Sequence, residues 1–514
     1  MAEQHMDSGK RKWGILKKIA LGLLIVVLFV FGIAFTFLNL RKNQISEELL
    51  ERVNLEFPGE FTVGSISVGN LFDYPNLEVK IRNLQFWESK AASGERRNVI
   101  IDVPYARFKT DLKDVLKTNI HINRLELQEP RLFIERDSSG VQMISKAFKP
   151  LGKRSKKPDS TQLVLTIDLI RMNGARVTIV DRPSGVFIPI DVEELKGDFE
   201  LKEDRIRGNF DLGVNGRTLM DTLKLKTRDF EISLKGTYDI DLKRSRLVVK
   251  SPLTEIAEND FDLDLNLDYR DKNVLNLDLN SAEEGLKLEN LLYSDQDSLS
   301  GDQQLSFKGN VGFTSHLKWV PQSEISFLES VNLFFKIEGR NLRLKGADLD
   351  QFIDNFRRSQ KFNLADVGAV MFAGPAGLAI TKGGDYASLA FASKGDSTQV
   401  GEFLAEWSLN KGILRTNDVA LSTKRNRLSV DGKYNMVNDS LRFNFHVLDK
   451  KGCEMVGQRI YGNSEEIKMG KVNLIKTFLG PVKNFFRDLG MVKCEIVYEG
   501  RVEHPSSKKK RKGS

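Results

Sequence analysis

The chain has 514 residues and a formal net charge of +8, a basic balance that taken alone is typical of nucleic-acid-binding proteins. The charge is concentrated at the termini: residues 1–42 and residues 508–512 each carry +5, which leaves about −2 for the rest. A nearly neutral body excludes an extended nucleic-acid surface. The five histidines are scattered and no hydrolase, metalloprotease or phosphate-loop motif occurs, so we predict no catalytic, metal or cofactor site.

The first element along the chain is an apolar segment from Ile19 to Leu40, 22 residues without a charged side chain. A helix of that length is about 33 Å long and crosses a hydrocarbon core of about 30 Å. Five basic residues precede the segment and two follow it closely, which predicts a cytoplasmic N-terminus and a body on the other side. A cleaved signal peptide and a buried core helix are the alternatives, but the length and the lack of a small-x-small cleavage site favour an uncleaved anchor.

Strand-like alternation begins near Phe61 and continues to about residue 340. In its clearest stretch, polar residues alternate with Phe261, Leu263, Leu265, Leu267, Leu275, Leu277 and Leu279. This pattern predicts an antiparallel hairpin with one apolar face and one polar face.

Two segments at an offset of 45 residues resemble each other, Pro130–Gly140 and Ala175–Gly185. Each has the pattern of a strand that ends in a charged Ser-Gly turn, which suggests a repeated hairpin unit. The basic segment Lys149–Ser160 between them, with its two prolines and two serines, is a predicted linker.

Two segments of the C-terminal part have helical spacing. Apolar residues fall at helical intervals from Leu349 to Phe356, and residues 471–489 are strongly amphipathic. The second segment is either a helix that covers the end of the sheet or a helix that contacts lipid at a membrane surface. The basic tail is interpreted as a solvated terminus, with contact to anionic lipid head groups as the alternative.

The two cysteines, Cys453 and Cys494, both lie in the region that the anchor places outside the cytoplasm, where disulfides persist. A bond between them closes a loop of about 42 residues, which stabilises the fold by about 4 kcal/mol on the chain-entropy model. Two buried free thiols are the alternative.

Few predicted helices are available to cover the apolar face of so many strands. Two sheets packed as a sandwich would bury such a face, and so would one long curved sheet folded into a trough. Periodicity alone does not separate these two architectures.

Short motifs occur in the opening region and in the C-terminal third of the chain. The opening region has Leu125–Leu132 together with the basic flank and the apolar span. The C-terminal motifs are Asp366-Val367-Gly368-Ala369, Ala373-Gly374-Pro375, Thr381-Lys382-Gly383-Gly384-Asp385-Tyr386, Trp407-Ser408-Leu409-Asn410-Lys411-Gly412, Asn426-Arg427-Leu428, Lys451-Gly452-Cys453 and Lys493-Cys494-Glu495-Ile496-Val497-Tyr498-Glu499-Gly500-Arg501-Val502. These motifs resemble the AsmA family of inner-membrane-anchored periplasmic proteins, and the opening region is similar to the opening domain of that family.

The resemblance implies a mainly β protein in which one N-terminal transmembrane helix precedes an elongated, curved antiparallel β-groove, related to bridge-like lipid-transfer proteins. It implies a single-pass protein of the bacterial inner membrane, anchored through residues 19–40, with the bulk of the chain in the periplasm. The expected partner is phospholipid, bound or conducted between inner and outer membrane in support of outer-membrane assembly and envelope integrity. An outer-membrane or envelope protein is a further expected partner.

In that arrangement the seven apolar residues from Phe261 to Leu279 face acyl chains. The alternative is a non-catalytic structural or assembly factor of the envelope that acts through protein–protein contacts. The predicted regions are a cytoplasmic flank (1–18), the membrane helix (19–40), an N-terminal AsmA-like region (41–160), a central sheet of repeated hairpins (161–345), an AsmA-like C-terminal region (346–503) and a basic disordered tail (504–514).

Overall fold

The structure is a computed structural model of the chain. It describes residues 54, 58–68, 76–88, 98–111, 120–136, 143, 147, 164–182, 186–202, 204–216, 231–268, 274–288, 306–320, 325–345, 348–351, 353–354, 397–464, 466–470 and 496–507. The predicted anchor from Ile19 to Leu40, the linker Lys149–Ser160, the amphipathic segment 471–489 and residues 508–514 lie outside the described residues.

The described part of the chain is built almost entirely of β-strands. The first strands are β1 (Glu60–Val68), β2 (Asn76–Trp87), β3 (Val99–Asp111), β4 (Ile120–Ile122), β5 (Arg124–Gln128), β6 (Arg131–Arg136), β7 (Val164–Asp181), β8 (Val186–Lys202) and β9 (Arg205–Asn215). The central strands are β10 (Glu231–Asp241), β11 (Arg246–Ile256), β12 (Asn259–Asp268), β13 (Val274–Asn280), β14 (Leu286–Lys287), β15 (Ser306–Lys308), β16 (Asn310–Trp319) and β17 (Val331–Lys345). The last strands are β18 (Ser397–Asn410), β19 (Ile413–Ser422), β20 (Arg427–Asn435), β21 (Ser440–Leu448), β22 (Glu454–Gly462) and β23 (Ile467–Met469). A short helix, α1 (Phe327–Ser330), precedes β17, and residues 349–351, 353 and 354 are also helical.

All 23 strands belong to one sheet. From β7 to β13 each strand pairs antiparallel with the next, β13 pairs with β16, and the meander continues from β16 to β23. At about 4.8 Å per strand, the path from β1 to β23 gives a ladder on the order of 85 Å long. The prediction of a mainly β protein with a long curved sheet is confirmed.

The pairing departs from antiparallel at one place, and that departure corrects the predicted repeated hairpin. Strands β4, β5 and β6 all pair with β7 in parallel, with Ile120 opposite Leu165 and Arg131 opposite Arg176. The 45-residue offset seen in the sequence is therefore the register of a parallel pair. A parallel neighbour needs a crossover connection, whereas a hairpin turn joins only antiparallel strands. The second segment does end in a hairpin, since Asp181 on β7 lies opposite Val186 on β8. The first segment, β6, pairs with β7 in parallel, so the repeated hairpin is confirmed only for the second segment.

Two buried cores lie at opposite ends of the sheet. The N-terminal core is formed mainly by β1–β9, and the rings of Phe61 and Phe86 pack there at an interplanar angle of 38° with centroids 4.3 Å apart. The C-terminal core is formed mainly by β16–β22, with Trp407 between Phe335 and Phe443. Within the described residues, no helix is long and apolar enough to cross a membrane.

Candidate functional site

Strand register joins the apolar side chains of the sheet into one continuous face. In the hairpin β12–β13, Leu263, Leu265 and Leu267 lie opposite Leu279, Leu277 and Leu275, so the predicted hairpin and its apolar face are confirmed. Directly opposed residues of antiparallel strands point to the same side of a sheet. One row of opposed residues, which we call the central row, consists of Tyr238, Val249, Leu265, Leu277, Leu317, Leu333, Leu409, Leu414, Tyr434 and Leu441.

The middle of this face is only half-buried. Of the seven apolar residues predicted in the hairpin, Phe261 is 6% exposed, whereas the six leucines are all half-buried. On this face, eight apolar side chains of β10–β13 belong to none of the buried clusters, and we call them the open face. They are Leu234, Leu247, Val249, Leu263, Leu265, Leu267, Leu275 and Leu277.

Side chains fill the same face at both ends of the sheet. At the C-terminal end, the helical residues Leu349 and Ile353 are fully buried in the C-terminal core. At the N-terminal end, Ala147 is fully buried in the N-terminal core, and its carbonyl oxygen accepts a hydrogen bond from the Gly59 amide at 3.0 Å. The open face therefore lies between two regions whose apolar side is closed by protein atoms.

The opposite face of the same strands is polar and carries cross-strand ion pairs. Lys250 on β11 lies 3.5 Å from Asp264 on β12, and His316 on β16 lies 2.6 Å from Asp278 on β13. These side chains are about half exposed, so each pair contributes little to stability. These ion pairs lie on the face opposite to the apolar side chains. The alternation of polar and apolar residues in the sequence thus corresponds to a solvated face and an apolar face of the sheet.

A second polar centre lies on the outer face of β21 and β22 and was missed by sequence reasoning. His446 is 8% exposed, and its two ring nitrogens lie 2.6 Å from carboxylate oxygens of Asp431 and Glu454. Burial lowers the pKa of His446, but the hydrogen bonds to both carboxylates outweigh burial and raise the pKa to about 9. The imidazole is therefore charged at neutral pH. The three residues come from different strands, so no short motif marks them.

A cleft of about 510 Å³ lies beside His446. It is lined by Arg442, Asn444, His446, Glu454, Gly457, Gln458, Arg459, Tyr461 and Gly470. His446 Nδ1 and Nε2 are both occupied by the carboxylates of Glu454 and Asp431, so neither ring nitrogen is available to a ligand in the cleft. The His446 centre is thus best explained as a buried ion-pair network that joins β20, β21 and β22.

Residues of the C-terminal motifs meet on the outer face of β18–β20. Arg427 is 7% exposed and donates hydrogen bonds to the carbonyl oxygens of Asp449 (2.8 Å) and Val502 (3.1 Å). Its guanidinium carbon lies 5.3 Å from the centre of the Tyr498 ring, and the Tyr498 hydroxyl donates to Asp418 at 2.8 Å. Residues 496–507 are thereby fixed across the outer face of the sheet.

Cys453 is fully buried and disulfide-bonded in the structure. The sequence contains one other cysteine, Cys494, which lies outside the described residues. Cys453 also forms an isolated β-bridge with Ile496, two residues beyond Cys494. The β-bridge between Cys453 and Ile496 is therefore compatible with the predicted disulfide between Cys453 and Cys494.

Metal chemistry finds no support in the described part of the chain, where no group of three or more His, Cys, Asp or Glu side chains has a metal-binding arrangement. Comparison with known proteins gives no relative: no protein family, no curated protein and no solved structure matches this chain. The function must therefore be argued from the geometry of the sheet.

Proposed function

We propose that this protein binds phospholipid, with the acyl chains on the open face of β10–β13. The observation that carries the proposal is the contrast along one continuous apolar face, which has filled cores at both ends and incompletely buried leucines between them. Folded proteins seldom leave a contiguous apolar patch in water unless it binds something. The eight side chains of the open face are leucines and one valine, which form no hydrogen bonds. Such a patch therefore binds an apolar ligand better than a polar ligand.

The physical chemistry of the open face suits an acyl chain. Each methylene group moved from water onto an apolar surface contributes roughly 0.8 kcal/mol, so a long chain gains much binding free energy without specific contacts. In the proposed groove, the curved sheet surrounds the chains while its polar outer face stays in water. Such binding requires no catalytic residue, and we propose no enzymatic activity.

The resemblance to the AsmA family supports a cellular context for this proposal. We propose that residues 19–40 anchor the chain in the bacterial inner membrane, with the N-terminus in the cytoplasm and the sheet in the periplasm. Lipid taken from the inner membrane would then pass towards the outer membrane, where an outer-membrane or envelope protein receives it. The disulfide at Cys453 supports this location, because disulfides persist in oxidising compartments.

Two neighbouring substitutions test lipid binding. Leu265 points to the open face and its neighbour Asn266 to the polar face. We expect Leu265→Glu to remove co-purifying phospholipid, because a carboxylate on the open face must be desolvated by acyl chains. The matched variant Asn266→Glu should retain lipid at the wild-type level. Native mass spectrometry of the full chain measures both, and equal lipid content in the two variants would refute the proposal.

A second candidate function is a non-catalytic structural or assembly factor of the envelope. The filled cores at both ends of the sheet favour it, since among the described residues the apolar face is closed by side chains at each end. Such a factor would meet its partner through strand edges or through the C-terminal region. A stable protein partner captured by cross-linking, together with an absence of bound lipid, would favour this function over the first.

A further inference from the structure

The strands that carry the open face end in two rims of opposite charge. One rim, which we call the basic rim, contains the ends of β9 and β12 and the turn between β10 and β11. Its cations are Lys202, Arg205, Lys243, Arg244 and Arg246, and its carboxylates are Asp204, Asp241 and Asp268, so these eight side chains carry a net charge of +2. Arg205 also lies 3.4 Å from Asp239 on β10. The other rim, which we call the acidic rim, contains the turn between β11 and β12 and the end of β13. Its carboxylates are Glu231, Glu255, Glu258, Asp260, Glu283 and Glu284.

The cations of the basic rim are exposed and only partly neutralised. Arg246 donates to the neutral amide oxygen of Asn266 at 2.9 Å, and Arg244 lies 3.9 Å from Asp241. Lys243 makes no ion pair with any residue that the structure describes. The basic rim therefore presents unused positive charge beside the apolar side chains of β10 and β11.

The acidic rim carries the opposite excess. Its six carboxylates are all exposed, and none of them pairs with a cation among the described residues. Lys287 is the nearest cation along the chain on that side. An anion that approaches this rim meets a concentration of like charge, which is unfavourable.

The distance between the rims suits a lipid that lies along the strands. Strands of ten to eleven residues separate the two rims by roughly 33–36 Å. One leaflet supplies about half of a hydrocarbon core of about 30 Å, so the acyl chains of a lipid reach about halfway across the open face. A phospholipid on this face thus has its head group at one rim only, and the rim charges decide which one.

We propose that the basic rim binds the phosphate of a phospholipid whose acyl chains lie on the open face, while the acidic rim excludes the head group. This inference rests on the proposed function and adds the orientation of the ligand and the residues that recognise its head group. Arginine and lysine are the side chains best suited to a phosphate, since guanidinium groups bind its oxygens in pairs and ammonium groups bind as point charges.

The test uses two matched double variants of the full chain. Lys243→Glu/Arg244→Glu reverses two exposed charges of the basic rim, and Glu255→Lys/Glu258→Lys reverses two exposed charges of the acidic rim. Each purified protein is incubated separately with vesicles that contain phosphatidylglycerol and with vesicles that contain diacylglycerol of the same chain length. The lipid that remains bound after re-isolation is quantified by mass spectrometry. Circular dichroism and the urea midpoint must match the wild type in both variants.

We expect reversal of the basic rim to reduce bound phosphatidylglycerol about thirtyfold, because the two lost cations contribute roughly 1 kcal/mol each towards an anionic lipid, about 2 kcal/mol together. Bound diacylglycerol should change less than about twofold, since it has the chains without the phosphate. Reversal of the acidic rim should leave bound phosphatidylglycerol at or above the wild-type amount. An excess of inorganic phosphate should displace little lipid, because the chains supply most of the binding free energy.

The outcomes separate this inference from the proposed function. A wild-type chain that retains neither lipid overturns both. A wild-type chain that retains both lipids, with equal phosphatidylglycerol in the two variants, overturns the orientation alone. If reversal of the acidic rim reduces bound phosphatidylglycerol, the head group lies at the acidic rim, and this result also overturns the proposed orientation. Displacement of the lipid by inorganic phosphate would show that the basic rim is a site for the free anion.

Discussion

At the scale of single residues, the charge of His446 contributes to stability in a way that depends on pH. Its pKa rises from 6.5 to about 9 because its contacts with Asp431 and Glu454 outweigh the cost of burial. A group whose pKa is higher in the folded state stabilises the fold fully below its unfolded pKa, and the stabilisation disappears as the pH rises through the folded value. The contribution of His446 is therefore complete below pH 6.5 and is lost as the pH rises through about 9.

We expect His446→Gln to reduce the free energy of unfolding at pH 6.5 by about 3 kcal/mol, the energy that corresponds to the pKa shift. The difference from the wild type should shrink towards pH 10, where the wild-type imidazole is neutral. Urea unfolding at pH 6.5, 8 and 10 measures it. The matched variant is His316→Gln, because His316 also contacts a carboxylate at 2.6 Å but is 51% exposed. That variant should change stability by less than about 1 kcal/mol, and an equal effect of both variants would contradict the role of burial.

The residue scale also shows where sequence reasoning ends. Alternation places Leu265 and Asn266 on opposite faces, and the structure confirms it, because a two-residue period is a local property of a strand. Asp431, His446 and Glu454 meet only after three strands pair, so no spacing in the chain marks them. The same holds for Arg427 and Val502, which are 75 positions apart. A single sequence carries no signal for such contacts.

At the scale of elements, the strands at the ends of the sheet are held by their packing more firmly than the strands in the middle. Phe443 on β21 is 2% exposed and contacts Trp407, whereas Leu277 on β13 is half-buried and outside every core. We expect Phe443→Ala to cost about 3–5 kcal/mol of unfolding free energy, as for other buried aromatic residues. Leu277→Ala should cost about 1 kcal/mol in lipid-free protein, since its side chain is only partly removed from water. Denaturant unfolding measures both, and similar costs would show that the middle is packed like the ends.

The C-terminal segment depends on the disulfide of Cys453 as well as on hydrogen bonds. If Cys494 is the partner, the bond closes a loop of about 42 residues, and its loss should destabilise the protein by up to about 4 kcal/mol. We expect a reducing agent to lower the unfolding midpoint of the wild type and to leave that of Cys453→Ser/Cys494→Ser unchanged. An unfolding midpoint of the wild type that does not respond to reduction, with the bond shown to be open, would contradict a stabilising role.

The connections between elements were harder to predict than the elements themselves. The strands on both sides of the 45-residue offset exist as predicted, but they pair in parallel, with Arg131 opposite Arg176. Turn-forming residues mark where a strand ends and do not tell whether the chain returns at once or crosses over. The helical spacing that begins at Leu349 was predicted, and residues 349–351, 353 and 354 are helical. Its burial in the C-terminal core was not predicted. Helical spacing predicts which side of a helix is apolar, but it does not predict which residues pack against that side.

At the scale of the whole molecule, the two cores divide the sheet into regions of different local stability. Few buried apolar contacts and partly exposed strands are the features of segments that open easily. Strands β10–β13 have these features, whereas β2, β3, β20 and β21 contribute many fully buried residues. In a long sheet whose ends are locally stable and whose apolar middle opens more easily, the middle strands can accept a ligand while the ends stay folded.

Hydrogen exchange on the full chain tests this division. In delipidated protein, the backbone amides of β12 and β13 should exchange at least about tenfold faster than those of β2 and β21, a difference of about 1.4 kcal/mol in opening free energy. Added phosphatidylglycerol should slow exchange in β10–β13 and leave β2 and β21 unchanged, because a ligand stabilises the segment that it binds. Uniform exchange along the sheet in the delipidated protein would refute the division. Protection by lipid at the ends instead of the middle would place the ligand outside the open face, and the variants of Leu265 and of the rims would then be expected to have no effect.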